Sequence, residues 1–153
     1  GYHALEHLRS ERAYHEFELD LTPEDTPLEA GLGFTVKFDK PGGFIGHDAL
    51  SRQRDAGPLT KRLVMFCLES PQPVLFHEEV IRMDGEIAGY ITSGAYGFTL
   101  GRSVAMGYVK HADGVTKDLV GGADWSIELA CETHSAQASL RPFFDAAGDR
   151  VAG

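Results

Sequence analysis

The chain has 153 residues, 42% of them hydrophobic and 24% charged, which suits one folded domain with a core and is too apolar for a disordered chain. Its formal net charge is -9, and residues 1–30 hold eight acids against Arg9 and Arg12, so nucleic acid and anionic membrane are poor partners. No apolar run approaches the ~20 residues of a spanning helix, no secretory leader pattern is present, and Cys67 and Cys131 form no CxxC. The expectation is two buried free thiols in a reducing, cytoplasmic compartment.

In chain order, the opening GYHALEHLRSERAY reads as a helix with a short apolar stripe, Ala4, Leu5 and Leu8. Neither Met nor a capping residue precedes it, so the chain is expected to be the C-terminal segment of a longer polypeptide. Next, LDLTPEDTPLEAGLGF (Leu19–Phe34) starts a helical turn at Thr22 with Pro23 in the first position and a carboxylate at Asp25. Pro27 stops it, because the ring clashes with a preceding helical turn. The product is a short, rigid, acidic corner ahead of an apolar segment.

Gly46–Ala56, GHDALSRQRDA, predicts a short polar helix ended by Gly57-Pro58. Five strand-like runs follow: Lys61–Ser70, Glu79–Tyr96, Ser103–Lys110, Asp124–Glu132 and His134–Arg141. Asp84-Gly85 turns the second run into a hairpin, giving about six strands. The fold class is therefore mainly β: an N-terminal helix and connector, then a small antiparallel β-barrel that closes its own edges. Alternation points Val64, Phe66, Leu68, Ile91, Val104, Met106, Ile127 and Leu129 inward.

Residue types alone supply no catalytic constellation and no metal site. His3 and His7 share a helix face, but nothing with ligand spacing completes the set, and a solvated face accounts for them. Ser93 and Ser103 lack the GxSxG context of a nucleophile elbow, and no glycine-rich run precedes a lysine as a phosphate loop requires. Gly94–Gly101, GAYGFTLG, reads as a long hairpin loop in which Tyr96 and Phe98 either face a ligand or anchor the loop.

Four stretches carry a resemblance: LRSERAYHEFELDLTPEDTPLEAGLGF (Leu8–Phe34), FIGHDAL (Phe44–Leu50), TSGAYGFTLGRSVAMGYV (Thr92–Val109) and RPFFDAAGDR (Arg141–Arg150). Together they resemble the C-terminal part of the folate-dependent aminomethyltransferase family, which includes the glycine-cleavage T protein. The forms TPEDTPLEAGLGF and FIGHDAL are most similar to its dimethylglycine and sarcosine dehydrogenase branch. The resemblance implies two parts, residues 1–58 as the tail of a folate-binding lobe with its connector and residues 59–153 as the C-terminal barrel domain. It also implies that the corner at Thr22–Pro27 runs along a folate channel, where proline leaves little entropy to lose, unless it is only an interlobe connector.

By the same resemblance Arg9, the arginine of an LR.E motif, lies near tetrahydrofolate. Glu11 is the motif's acid with a structural role, and Phe17 falls where relatives carry an aromatic ring, so these three are the cofactor-binding candidates. The bland alternative for Arg9 is an ion pair with Glu6 on a helix surface. Relatives carry glycine where this chain has Ala13 and Glu18. The family's catalytic aspartate belongs to a preceding lobe, so no catalytic residue is expected here. The implied parent oxidises an N-methyl amine in a flavin lobe holding FAD and captures the one-carbon unit on tetrahydrofolate, by attack of N5 or N10 on an iminium or formaldehyde equivalent. The partners are then the preceding folate and flavin lobes of the same polypeptide, and the fragment alone is inactive. A flavin-free aminomethyltransferase or demethylase, and a non-catalytic interaction barrel, are the alternatives.

Overall fold

The computed structural model describes residues 1–152. Helices α1 (Tyr2–Glu11) and α2 (His47–Asp55) precede six strands: β1 (Lys61–Leu68), β2 (Val80–Met83), β3 (Glu86–Gly97), β4 (Arg102–Lys110), β5 (Trp125–Leu129) and β6 (Glu132–Ser139). Helix α3 (Lys117–Gly122) lies between β4 and β5, and a short α4 (Asp149–Ala152) follows the barrel. Every strand pairing is antiparallel, the order is β1-β4-β3-β2-β5-β6, and β6 returns to β1. Closure leaves no unpaired edge, so the mainly β, six-stranded antiparallel barrel with an N-terminal helix and connector is the architecture observed. Among the described residues no helix is long and apolar enough to cross a membrane.

The barrel interior is filled from alternate positions. Val64 and Phe66 of β1 face small partners on β4, Gly107 and Ala105, and this large-against-small register lets the layers interdigitate. Phe66 also meets the edge of Trp125 at 5.5 Å between centroids, and the Trp125 indole N–H donates to the Val120 carbonyl at 3.0 Å. Leu68, Ile91 and Ile127 complete the expected inward set.

Val104 and Met106 depart from that set. The register places Met65 opposite Met106 and Cys67 opposite Val104, on the outer face of the β1–β4 pair. Met106 packs there with Leu63 and Met65, and Ala13, Tyr108 and Phe143 lie against them, so connector and tail bury this face too. Both faces of β1 and β4 are therefore covered, and their sequences read as apolar runs without a solvent phase. Leu129 is only half-buried and joins neither cluster.

Two other expectations are corrected, and the helix stripe gains an orientation. Cys67 is buried, but Cys131 is exposed in a two-residue turn, Ala130–Cys131, with φ of 52° and 66°. The chain reverses there between β5 and β6 without the Asn-Gly or Asp-Gly that announces such turns. Gly94–Gly97 belong to β3, so the hairpin turn is shorter than the expected loop. The stripe of α1 faces solvent, with Leu5 56% and Leu8 64% exposed, while polar Ser10 and Glu11 are buried.

Closing so small a barrel forces backbones together. A Cβ on Gly89 of β3 would lie 1.8 Å from the Tyr108 carbonyl oxygen of β4, whereas one on Gly121 of α3 meets nothing. We expect Gly89→Ala to lower unfolding free energy in urea by about 3 kcal/mol, and Gly121→Ala to leave it unchanged or raise it by up to ~1 kcal/mol. Equal effects would mean that the β3–β4 contact yields without cost.

Candidate functional site

The polar side of α1 meets the connector and β3 at Arg9. Its Nε donates to Glu6 Oε2 at 2.8 Å, Nη1 to Asp20 Oδ2 at 3.1 Å and Nη2 to Ser93 Oγ at 3.1 Å, with Glu16 Oε2 3.0 Å from Nη2. Helical geometry brings Glu6 and Arg9 together, and the bend at residues 12–16 returns Glu16 to the same guanidinium. Burial works against the charge, yet Glu6, Asp20 and Glu16 together hold the Arg9 pKa above its ordinary value.

Asp20 is fully buried. Besides Arg9, its carboxylate accepts from the Glu16 amide at 2.9 Å and the Thr92 hydroxyl at 2.5 Å, and its carbonyl accepts from the Tyr108 hydroxyl at 3.0 Å. A buried carboxylate with that many donors is stable only while all are present. Sequence reasoning missed it: in Leu19-Asp20-Leu21 the two leucines look like the core, but Leu19 is exposed and the charge between them is inside. The signal was the residue pattern itself, an acid set between two apolar residues.

Glu11 accepts from the Thr99 amide at 2.8 Å, the Thr99 hydroxyl at 3.0 Å and the Leu100 amide at 3.2 Å, so both oxygens hold the β3–β4 turn. His7 Nδ1, 2.6 Å from the Tyr96 carbonyl, carries the proton donated to it. Phe98 stacks edge-on against His7 and Tyr96, and these contacts anchor α1 on the hairpin although Phe98 itself is exposed. Phe17 is exposed, and its backbone bridges to Leu21 of the connector. Arg9 is thus bound to β3 and Glu11 to the turn after it, from different sides of α1, and Phe17 has neither partner. Ala13 and Glu18 have φ of 55° and 77°, a left-handed backbone that costs a side chain ~1 kcal/mol or more.

The acidic corner is two successive turns. Thr22 donates amide and hydroxyl to Asp25 Oδ2, and Thr26 and Glu29 form a reciprocal capping box, with the Thr26 amide to Glu29 Oε2 at 3.0 Å and the Glu29 amide to Thr26 Oγ1 at 3.2 Å. Asp25 takes the Lys61 ammonium at 2.5 Å, and the Glu29 carbonyl takes the Leu63 amide at 2.8 Å, which clamps the corner onto β1. Pro27 therefore takes the first position of the second capped turn, right after Thr26, and the rigid segment sets the path into the barrel.

Around Arg9 a recess of about 240 Å³ is lined by His3, Glu6, His7, Leu19, His77 and Ser93, among others. Sites that enclose a whole drug-sized ligand run to ~300–1,000 Å³, so this recess is one wall of a site or a seat for a ring-sized head group. The side chains of Glu6 and Glu16 remain 26% and 34% exposed and offer acceptors, while each guanidinium nitrogen of Arg9 already has a protein acceptor. Among the described residues no three His, Cys, Asp or Glu side chains are placed to hold a metal ion.

Residues 61–145 match the family model described as the glycine cleavage T-protein C-terminal barrel domain. The whole chain is 41% identical to a 4-methylaminobutanoate oxidase (formaldehyde-forming) of Paenarthrobacter nicotinovorans, covering 18% of that protein, and 39% identical to the mitochondrial sarcosine dehydrogenase of Homo sapiens, covering 17%. The crystal structure of glycine cleavage system aminomethyltransferase T from Bartonella henselae superposes with a TM-score of 0.77 at 27% identity, over 94% of this chain and 38% of that one. The chain thus spans less than two-fifths of each of these proteins.

His15 gives the site a pH signature. Burial pushes its imidazole below the ordinary 6.5, against the pull of Asp20 and with the help of Arg9. The folded state keeps it neutral where the unfolded chain takes a proton, so its contribution is intact above pH 6.5 and is lost as pH falls through 6.5 toward the lower folded value. Chemical denaturation across that range should show wild type losing more stability than His15→Gln; parallel curves would place His15 in water.

Proposed function

The chain belongs to the glycine cleavage T-protein C-terminal barrel family and is a C-terminal domain of aminomethyltransferase-like enzymes, which include sarcosine and dimethylglycine dehydrogenases; from that premise we propose that it forms one wall of a tetrahydrofolate site in an N-methyl amine dehydrogenase. In this reading residues 1–58 are the tail of the folate lobe and the connector, and residues 59–153 are the barrel domain. FAD and the catalytic carboxylate reside in preceding lobes of the parent, so the fragment by itself is inactive. A cytoplasmic location belongs to the same proposal and rests only on the two unpaired thiols.

The observation that carries the reading is the Arg9 cluster. A pterin presents adjacent N–H donors on one ring edge, and a carboxylate is the complementary acceptor. Glu6 lines the recess with acceptor capacity to spare, and Arg9 holds it there while Asp20 fixes the guanidinium from behind. Glu11 keeps the hairpin in place and Phe17 supplies an exposed ring beside the connector. Bound tetrahydrofolate would accept the one-carbon unit; this chain's residues orient it and keep water out. Exposed Leu5, Leu8 and Phe98 are apolar surface on which the preceding lobes would pack.

One observation favours the interaction-barrel reading instead, namely that every nitrogen of Arg9 is satisfied within the chain. The two separate in the full-length parent. Arg9→Ala should weaken tetrahydrofolate binding by roughly 10- to 100-fold and leave flavin-dependent amine oxidation with an artificial acceptor nearly intact. Because Arg9→Ala also strands Asp20, Glu6→Gln is the cleaner probe, with folate affinity falling about tenfold at unchanged melting temperature. Unchanged folate affinity in both variants would leave the interaction barrel.

A further inference from the structure

Helix α2 and the loop before it contribute nothing to the Arg9 cluster or to the buried core of the barrel. No residue of α2 is buried, and at nine residues it is shorter than the ~12–15 below which an isolated helix is marginal in water. The loop supplies little stiffness of its own, since Gly42 and Gly43 have φ of 80° and 66°, a backbone that glycine enters and leaves freely. Near the start of the helix Ile45 is fully exposed. What holds loop and helix together is a ring cluster, in which Phe38, Phe44 and His47 meet edge-on with centroids 5.2, 6.2 and 6.4 Å apart and the Arg54 guanidinium lies 4.4 Å from the Phe38 centroid.

His47 meets an acceptor with each ring nitrogen. Nδ1 lies 3.2 Å from Asp48 Oδ1, and Nε2 lies 3.0 Å from the Phe38 carbonyl oxygen. Neither oxygen can donate and a neutral imidazole carries one N–H, so the neutral ring makes one of these bonds and only the imidazolium makes both. The surroundings divide over the proton. The hydrogen bond to Asp48, the bond to the Phe38 carbonyl and the Asp48 charge favour it, while lost hydration and Arg54 oppose it, as does the helix dipole at the first position of α2. Asp39 and Lys40, one charge of each sign, line the same shallow space. The balance holds the His47 pKa above the ordinary 6.5. Its contribution is therefore complete below pH 6.5 and is lost as pH rises through the folded value, opposite in sign to that of His15.

We propose that His47 is a proton-operated clamp: as the imidazolium it ties the Phe38 carbonyl to the start of α2 and fixes the loop that carries Ile45, and when the proton leaves to water the loop is released. Asp48 orients the ring and the Nε2 proton grips the carbonyl. Loss of either bond loosens the same segment, because no buried side chain of α2 stands behind it. The clamp is independent of tetrahydrofolate.

The test is an NMR titration of the 153-residue chain from about pH 5 to about pH 9, reading the His47 ring by ¹H–¹³C correlation and the loop amides by ¹⁵N relaxation. His47→Gln, whose missing signal assigns the ring, and Asp48→Asn are measured beside it. The ring should titrate with a midpoint above 6.5. Through that midpoint the order parameters of the Phe44, Ile45 and His47 amides should fall from the ~0.85 of rigid backbone toward ~0.6, while Phe66 of the barrel stays rigid. Asp48→Asn should bring the midpoint down toward 6.5, and His47→Gln, a neutral donor at every pH, should make loop order independent of pH. A midpoint at or below 6.5, a midpoint unmoved in Asp48→Asn, loop order unchanged through the His47 transition, or a loop still pH-dependent in His47→Gln would each overturn the clamp.

Discussion

Everything on the connector side of the barrel depends on one buried carboxylate. Asp20 has no access to water, and a charge in that position is tolerated only with a full complement of donors. Its donors come from α1 through Arg9, from the connector through the Glu16 amide and from β3 through Thr92, while its own carbonyl takes the Tyr108 hydroxyl of β4. Four segments distant in sequence are thereby fixed to one residue. Apolar packing alone would let α1 slide on the hairpin, because its leucines face outward; the polar network gives it a single seat.

That arrangement also explains where the sequence could be read and where it could not. Strand positions were legible because β-branched and aromatic runs are separated by turn residues, and because Asp84-Gly85 announces its hairpin. Orientation within β1 and β4 was not, because alternation carries information only when one face is wet. Here Met106 and Val104 are buried outside the barrel while Ala105 and Val109 are buried inside it. The Ala130–Cys131 turn was invisible for a different reason, since residues with a Cβ occupy positive φ there and tertiary closure pays the strain.

The site was half legible. Arg9 and Glu11 were marked by motif, and both prove to be bound by long-range partners on β3 and the turn after it. Their partners were unreadable because Ser93, Thr99 and Asp20 have ordinary one-residue surroundings, and only the fold brings them together. The helix periodicity of α1 carried no orientation, for Leu5 and Leu8 face solvent while Ser10 and Glu11 are buried.

Barrel closure has a temporal consequence. β1 finds its two neighbours in β4 (Arg102–Lys110) and β6 (Glu132–Ser139), so its pairing partners are far along the chain and its loop-closure entropy must be met before either contact forms. During synthesis from the N-terminus, β1 emerges long before β6 exists. Until Glu132–Ser139 is made, a strand apolar on both faces stands with an open edge, and the nascent polypeptide depends on β4 or on a chaperone to keep that edge from another chain.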